Sequence, residues 1–299
     1  MFQCVMAVTI LVTDLAATEA AYTDYFGYTV VERAAVDTAT AALWSAPAMA
    51  GKPYLLMAPA SGADFRLRFI EAEPVDGYAA LRTDGWNATE LLVEDTDAMA
   101  VRLADSPFTI IGPPRNLSSD GNVRAMQVQG PSGEVVYLTR IAGERTRTYG
   151  SARSPVDRAF ILVVGGRDHG ALVDYYGERF GHTIRNFGQS PITVLSRALG
   201  LDPAETKYPM KLALLGNQYA LELDGYPDLV RERPRRDGEL PPGMAMVTFG
   251  VGGLDELGLD WQAPPGNGGG SLYAGRTAAV ATGPAGEWLE FVAGGCPDD

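Results

Sequence analysis

DLAATEAAYTDYFGYTV, from Asp14 to Val30, and DHGALVDYYGERFGHTI, from Asp168 to Ile184, decide how this chain is read. Asp14 aligns with Asp168, Tyr25 with Arg179, Phe26 with Phe180 and Gly27 with Gly181, all at an offset of 154. Further on, GADFRLRFIEA begins at Gly62 and GNQYALELDGY at Gly216, again 154 apart. GPSGEVVYL (Gly130 to Leu138) and GPAGEWLEF (Gly283 to Phe291) stand 153 apart. Three blocks in one order with nearly constant spacing mark an internal duplication. The 299 residues therefore divide into two halves, each large enough to hold its own core. The expected domains are 1–145 and 155–299, joined through the polar GERTRTYGSARSP stretch from Gly143 to Pro155.

Each half is itself doubled in pattern. MAVTILVTDL (Met6 to Leu15) and NATELLVEDTDAM (Asn87 to Met99) share a strand followed by an acid-marked turn, as do RAFILVVGGRD (Arg158 to Asp168) and MVTFGVGGLDEL (Met246 to Leu257). VTILV is rich in β-branched residues and predicts a strand. Asp14 is a candidate N-cap, Ala16 to Phe26 has helical composition, and Gly27 is a plausible C-cap. YTVVER, TAALWSA, PYLLMA and FRLRFIEA follow as expected strands. A strand, a helix and then several strands, repeated, predict an α+β fold with mixed sheets rather than a doubly wound parallel sheet.

Composition narrows the partners. Hydrophobic residues are 46% and charged residues 20%, which excludes a disordered, collagenous or disulfide-scaffold chain. The 37 acidic residues outnumber 24 basic ones for a net charge of −13, so the basic footprint of a nucleic-acid binder is missing. The apolar opening MFQCVMAVTILVTDL has no basic flank and is broken by Asp14, which predicts a strand rather than a signal peptide. No apolar run approaches the roughly 20 residues of a membrane helix. The expectation is a cytoplasmic protein with a small-molecule ligand, without nucleic-acid or membrane partners, and with Cys4 and Cys296 as ordinary thiols. Assembly into a homo-oligomer stays open.

Strand–helix–strand–strand–strand modules, with the opening Val12, Asp14, Leu15, Tyr25, Phe26, Gly27 and the closing Pro284, Gly286, Glu290, resemble the vicinal oxygen chelate superfamily of glyoxalase I, extradiol dioxygenases, fosfomycin-resistance proteins and bleomycin-binding proteins. The resemblance implies two tandem domains, each of two βαβββ modules forming a cupped mixed sheet with a small-molecule pocket. It also implies metal ligands on the first strand (His or Gln) and last strand (Glu) of a module. Carried over position by position, the first-strand sites fall near Ala7, Ala88, Ala159 and Met246, none of which coordinates through its side chain. The last-strand sites fall on Arg68, Tyr137, Glu222 and Glu290. The two histidines, His169 and His182, sit at opposite ends of one expected helix, roughly 20 Å apart, too far to share an ion. No metal site and no cofactor are expected on this reading, the alternative being a divalent ion held weakly by carboxylates without imidazole.

What remains is acid–base chemistry or binding. Glu222 and Glu290, if they face one cup, push their pKa values apart and serve as acid and base; if they face solvent they do neither. Arg68 would clamp a substrate carboxylate and Tyr137 donate a hydrogen bond, or both are ordinary strand residues. His182 is a substrate contact titrating near neutrality or an exposed strand-entry residue. The long Asp224 to Met244 loop, with Arg231, Arg233, Arg235 and Arg236, is a lid whose Arg233 meets the ligand or a solvated connector. GNGGG (Gly266 to Gly270) is expected to be a flexible turn. The functional expectation is a metal-independent isomerase or lyase of the glyoxalase or dioxygenase type, acting on a small carbonyl-bearing or aromatic molecule. The alternative is a non-catalytic binding protein of the bleomycin-resistance type.

Overall fold

The computed structural model describes residues 2–296, apart from the side chain of Gln3. The duplicated opening folds alike in both copies. Asp14 caps helix α1 (Leu15–Ala21) by accepting from the Ala17 amide at 2.8 Å, and Asp168 caps a later helix by accepting from Ala171 at 2.9 Å. A single π-helical turn follows each helix, Tyr22–Phe26 and Asp174–Arg179, and Gly27 ends the first in the left-handed region at φ 72°. Tyr22 and Tyr176 are fully buried by this shared geometry.

The first module comprises β1 (Phe2–Val12), α1, β2 (Thr29–Ala35), α2 (Thr38–Leu43), β3 (Pro53–Ala58) and β4 (Arg66–Glu71). The second comprises β5 (Gly85–Val93), α3 (Thr96–Leu103), β6 (Thr109–Asn116), β7 (Val123–Gln129) and β8 (Val135–Ile141). After the connecting α4 (Thr146–Tyr149), the third runs through β9 (Val156–Gly166), α5 (His169–Val173), β10 (Thr183–Ser190), α6 (Thr193–Leu199), β11 (Tyr208–Gly216) and β12 (Tyr219–Gly225). The fourth has β13 (Met244–Val251), β14 (Gly266–Asn267), β15 (Thr277–Thr282) and β16 (Trp288–Ala293), with only a short 3-10 turn, Asp255–Leu257, where the others have a helix. TAALWSA is a correction: its first residues lie in α2, because the Asp37 carboxylate accepts from the Thr40 amide and starts a helix there. In every module the first and last strands pair in parallel at the centre, and antiparallel strands extend outward.

The two mixed sheets have eight strands each, in the orders β14-β15-β16-β13-β1-β4-β3-β2 and β10-β11-β12-β9-β5-β8-β7-β6. The α+β class and the two-modules-per-sheet plan are as expected, but the sheets do not follow the halves 1–145 and 155–299. Modules one and four share the first sheet through β1 and β13, and modules two and three share the second through β5 and β9, both pairs antiparallel. The repeat identifies the modules but not their partners, because all four first strands are apolar and equally able to pair. Within each half, the two modules meet instead through helix-to-turn contacts. Tyr22 of module one donates to Glu134 at the module-two turn, Phe26 stacks on Phe108 at 4.5 Å, and Tyr176 donates to Glu287 at the module-four turn. The GPSGE and GPAGE blocks build these contacts: each glutamate also accepts from its own turn, from Ser132 and Ala285. A side chain at Gly130 or Gly283 would stand about 2 Å from the curled carboxylate.

Cys4 and Cys296 form a disulfide, with Cα atoms 6.0 Å apart. This corrects the reading of two ordinary thiols. β1 and β16 flank β13, so the bridge crosses β13 over Gly250, where a Cβ would stand 2.9 Å from the Cys4 sulfur. A structural disulfide belongs with oxidising surroundings, which speaks against the cytoplasmic expectation. Among the described residues no helix is long and apolar enough to cross a membrane. Cutting the bridge by Cys4→Ser or by reductant is expected to cost about 2–4 kcal/mol, read as a lower urea midpoint. An unchanged midpoint would show that the cross-link is not formed.

Candidate functional site

Strand register fixes which residues face each other inside the cups. Arg68 lies opposite Thr9, Tyr137 opposite Glu90, Glu222 opposite Val163 and Glu290 opposite Thr248. The positions opposite the last-strand residues are thus Thr9, Glu90, Val163 and Thr248, not Ala7, Ala88, Ala159 and Met246. The displacement is two residues in three modules and four in the third, an even step that keeps the same face. Only the pairing with the last strand fixes the level of the site along these strands. Glu222 and Glu290 belong to different sheets, so the expected acid–base pair does not exist.

The first cup is filled from within. Glu290 is fully buried and accepts from Arg68 at 2.9 Å, Thr248 at 2.6 Å, Tyr273 at 2.6 Å and Trp44 Nε1 at 2.7 Å. Arg68 also donates to Thr9 at 2.8 Å and lies over the Trp44 ring at 4.7 Å. Burial alone pushes the Glu290 carboxyl up, but Arg68 and the three neutral donors outweigh it and hold it below its ordinary value. The space left is about 10 Å³. The glycine-rich segment closes over it: a Cβ on Gly268 would strike the Tyr273 ring at 2.6 Å, and one on Gly269 would strike Asp37 at 2.2 Å. GNGGG is therefore a close-packed seal, with Gly266 and Asn267 in β14, rather than a loose turn. Arg68 and Glu290 hold each other and leave no room for a substrate.

The second cup is open. Its cavity of about 300 Å³ is lined by Glu90, Tyr137, Glu222 and Gln127 on the sheet, by Ile192, Thr193 and Val194 at the start of α6, and by Arg115, Leu117 and Phe187 at the mouth. Burial pushes the Glu90 carboxyl from 4.5 up to about 7, against a short hydrogen bond from Thr139. Burial, then the charges of Asp224 and Glu90, push Glu222 well above its ordinary range, and burial and Glu90 do the same to Asp224. Glu222 is exposed only in part, toward the cavity. Tyr137 is 6% exposed and Asp224 1%. The Tyr137 hydroxyl, the Tyr226 hydroxyl and Asp224 Oδ1 have no hydrogen-bond partner. Arg115 stands at the rim, donating to Thr193 at 3.0 Å.

The other expected contacts lie elsewhere. His182 is buried against Phe2, with ring centroids 5.1 Å apart, and burial lowers its pKa to about 4. It is neither an exposed entry residue nor near the cavity. Arg233 donates to the Met244 carbonyl at 2.8 Å, to Thr83 at 3.1 Å and to the Trp86 carbonyl. It locks its loop to the ends of β5 and β13. Arg236 is likewise tied to the Pro74 carbonyl at 2.7 Å, so the loop is a bound connector. Glu90, Asp224, Gln127 and Arg115 are site residues that the sequence reading passed over. The signal for Glu90 was present in NATELLV, the one charged residue in the middle of the strand.

Neither cup carries, on its first and last strands, the His or Gln with Glu that the resemblance implies as metal ligands. In the first, Arg68 already supplies the positive charge at Glu290. In the second, the acids have no imidazole beside them, and among the described residues no three His, Cys, Asp or Glu gather closely enough to hold an ion.

Two outcomes follow from the contrast between the cups. Glu290→Gln should lose about 3–5 kcal/mol of stability, because it strands a buried guanidinium, while Arg68→Met with Glu290→Met should recover part of that loss in urea denaturation. For the second cup, a carboxyl whose folded pKa is raised contributes stability that is complete below about pH 4.5 and is lost as pH rises toward the folded value, which is about 7 for Glu90. Glu90→Gln and Glu222→Gln should therefore flatten the fall in melting temperature between pH 5 and 8. Some slope should remain from Glu134 and Glu287, which burial also raises to about 7. Slopes identical to the parent protein would show that these acids are not buried as described.

No family model and no curated protein matches the chain. Solved structures do. Glyoxalase I from Zea mays superposes with a TM-score of 0.62 at 16% identity, covering 97% of this chain and 92% of that one. A putative dioxygenase from Bacillus subtilis gives 0.60 at 11% identity, covering 98% and 85%. Both comparisons run the length of the chain and match the architecture rather than the chemistry. With paired modules, cupped mixed sheets and these structural neighbours together, the chain has the vicinal oxygen chelate fold in its four-module form.

Proposed function

We propose that the second cup holds a small carbonyl-bearing or aromatic molecule and moves protons on it through Glu222 and Glu90, as an isomerase or lyase that uses neither metal nor cofactor. The observation that carries this reading is that Glu90, Glu222 and Tyr137 line one cavity in which burial makes the acids hold protons near neutrality. Two neighbouring carboxyls of this kind share a proton, so one is an acid while the other is a base. The ionised carboxylate takes a proton from the carbon beside a carbonyl, and the protonated one gives its proton to the carbonyl oxygen, forming an enol. Tyr137, whose hydroxyl has no protein partner, donates to the oxygen as charge builds on it. Where the carbon that lost its hydrogen bears a hydroxyl, a proton passes from the carboxyl to the former carbonyl carbon while that hydroxyl gives its own proton to the carboxylate and becomes the new carbonyl, which completes an isomerisation. Where the next carbon bears a leaving group, the group departs with the bonding pair and a proton from the carboxyl while the enol O–H returns its proton to the carboxylate, which completes an elimination. The first cup serves stability alone.

A second reading, sequestration without turnover, draws support from the apolar rim, where Phe187 is 47% and Leu117 50% exposed. The test is exchange in heavy water. Small hydroxyketones, hydroxyaldehydes and aryl ketones are incubated with the protein, and replacement of carbon-bound hydrogen by deuterium is followed by NMR. Exchange should fall by roughly 10²–10⁴ in Glu222→Gln, and Glu290→Gln should retain it once its fraction folded is taken into account. Ligands that bind but exchange no faster than in Glu90→Gln and Glu222→Gln would replace catalysis by sequestration.

A further inference from the structure

The two cups place opposite demands on a cation. In the first, a guanidinium sits on the sheet: Arg68 faces Glu290 at 2.9 Å, stacks on Trp44 at 4.7 Å and has Tyr273 beside it. This arrangement shows how a cupped sheet of this protein holds a positively charged nitrogen, with a carboxylate, hydroxyls and an aromatic face. In the second cup the same level of the sheet carries Glu222, Glu90 and Tyr137, with Asp224 two residues beyond Glu222 on the same face. The acids are present and the cation is not. The base in the cavity lining, Arg115, is exposed at the mouth and engaged by Thr193. Tyr137 reaches the cavity with an unpartnered hydroxyl although it is 94% buried by its 6% exposure, and Asp224, 1% exposed, has a bare oxygen behind it. A buried acceptor left unpaired costs free energy that a fitting donor restores.

Resting on the reading of the second cup as the ligand site, we propose that its ligand carries a positively charged nitrogen, an ammonium or amidinium on an apolar or aromatic body. The nitrogen seats among Glu222, Glu90 and Tyr137, where the first cup places the Arg68 guanidinium. The body lies along Ile192, Val194 and Met210 and reaches Phe187 at the mouth. In the empty cup the neighbouring carboxyls share a proton, so taking up a cation expels that proton to solvent and leaves both ionised. A neutral carbonyl ligand would instead accept a hydrogen bond from a carboxyl that keeps its proton. The two ligand classes therefore differ in proton release as well as in affinity.

The test uses matched probes that share one body: benzamidine, benzamide and benzoate, then phenethylamine, phenethyl alcohol and phenylacetate, then the corresponding cyclohexyl series. Affinities are read by ligand-observed NMR, and protons by titration calorimetry at pH 7 in phosphate and in Tris. In at least one series the cation should bind about tenfold or more tightly than its neutral partner, and it should release about one proton per site. Glu222→Gln should remove both the preference and the release. If probes bind and respond to Glu222→Gln but no series favours its cation, the cation proposal is overturned while the second cup stands as the site. If no binding responds to Glu222→Gln or Glu90→Gln, with both variants folded by their melting curves, the cation proposal and the site reading fail together.

Discussion

Antiparallel pairing of two first strands makes each cup. β1 on β13 and β5 on β9 join modules that are far apart or adjacent in the chain, and everything else hangs from those two seams. The parallel last strands sit next to them and carry the chemistry-bearing positions, while the hairpins outside curve to form the walls. Because a residue on a central strand is covered on both faces, its side chain must be apolar, paired or functional. Thr9, Arg68, Thr248 and Glu290 satisfy that condition by pairing with each other. Glu90, Tyr137 and Glu222 do not, and this difference separates a filled cup from a receptive one.

Duplication explains how the same frame reached two outcomes. An acid on a last strand is costly when buried alone. In the first sheet the cost is offset by a guanidinium from the partner module, by Trp44 at the end of α2, and by the glycine seal that brings Tyr273 over the sheet. In the second sheet α6 stands where α2 stands in the first, but it offers Thr193 and Val194 to the cavity instead of an indole. The wall therefore remains open, and the acids answer burial by keeping their protons.

Much of this was legible in the residues, and the failures have physical causes. The duplicated blocks located all four modules, and strand alternation placed Glu222 on one face with Leu221 and Leu223 on the other, as found. Module pairing was not legible, because four similar apolar strands carry no label for their partners. Glu290 looked like a catalytic acid until Arg68, 222 residues away in sequence, was found against it. Glu90 lies two residues beyond Ala88 on the same face, a level that only the register with Tyr137 on β8 reveals. The glycines of GNGGG were taken for freedom when they serve close approach, a distinction that needs the neighbouring Tyr273 and Asp37 to be seen.

The bridge between Cys4 and Cys296 spans 292 residues of sequence, and it turns an open polypeptide into a covalent ring. On a ring, the order of the modules has no intrinsic start. A single backbone break in the exposed connector between Gly143 and Arg147 would leave one molecule rather than two, and the break would escape notice until the thiols were reduced. The same closure means that modules three and four could precede one and two without disturbing either seam, so the fold is indifferent to which half comes first.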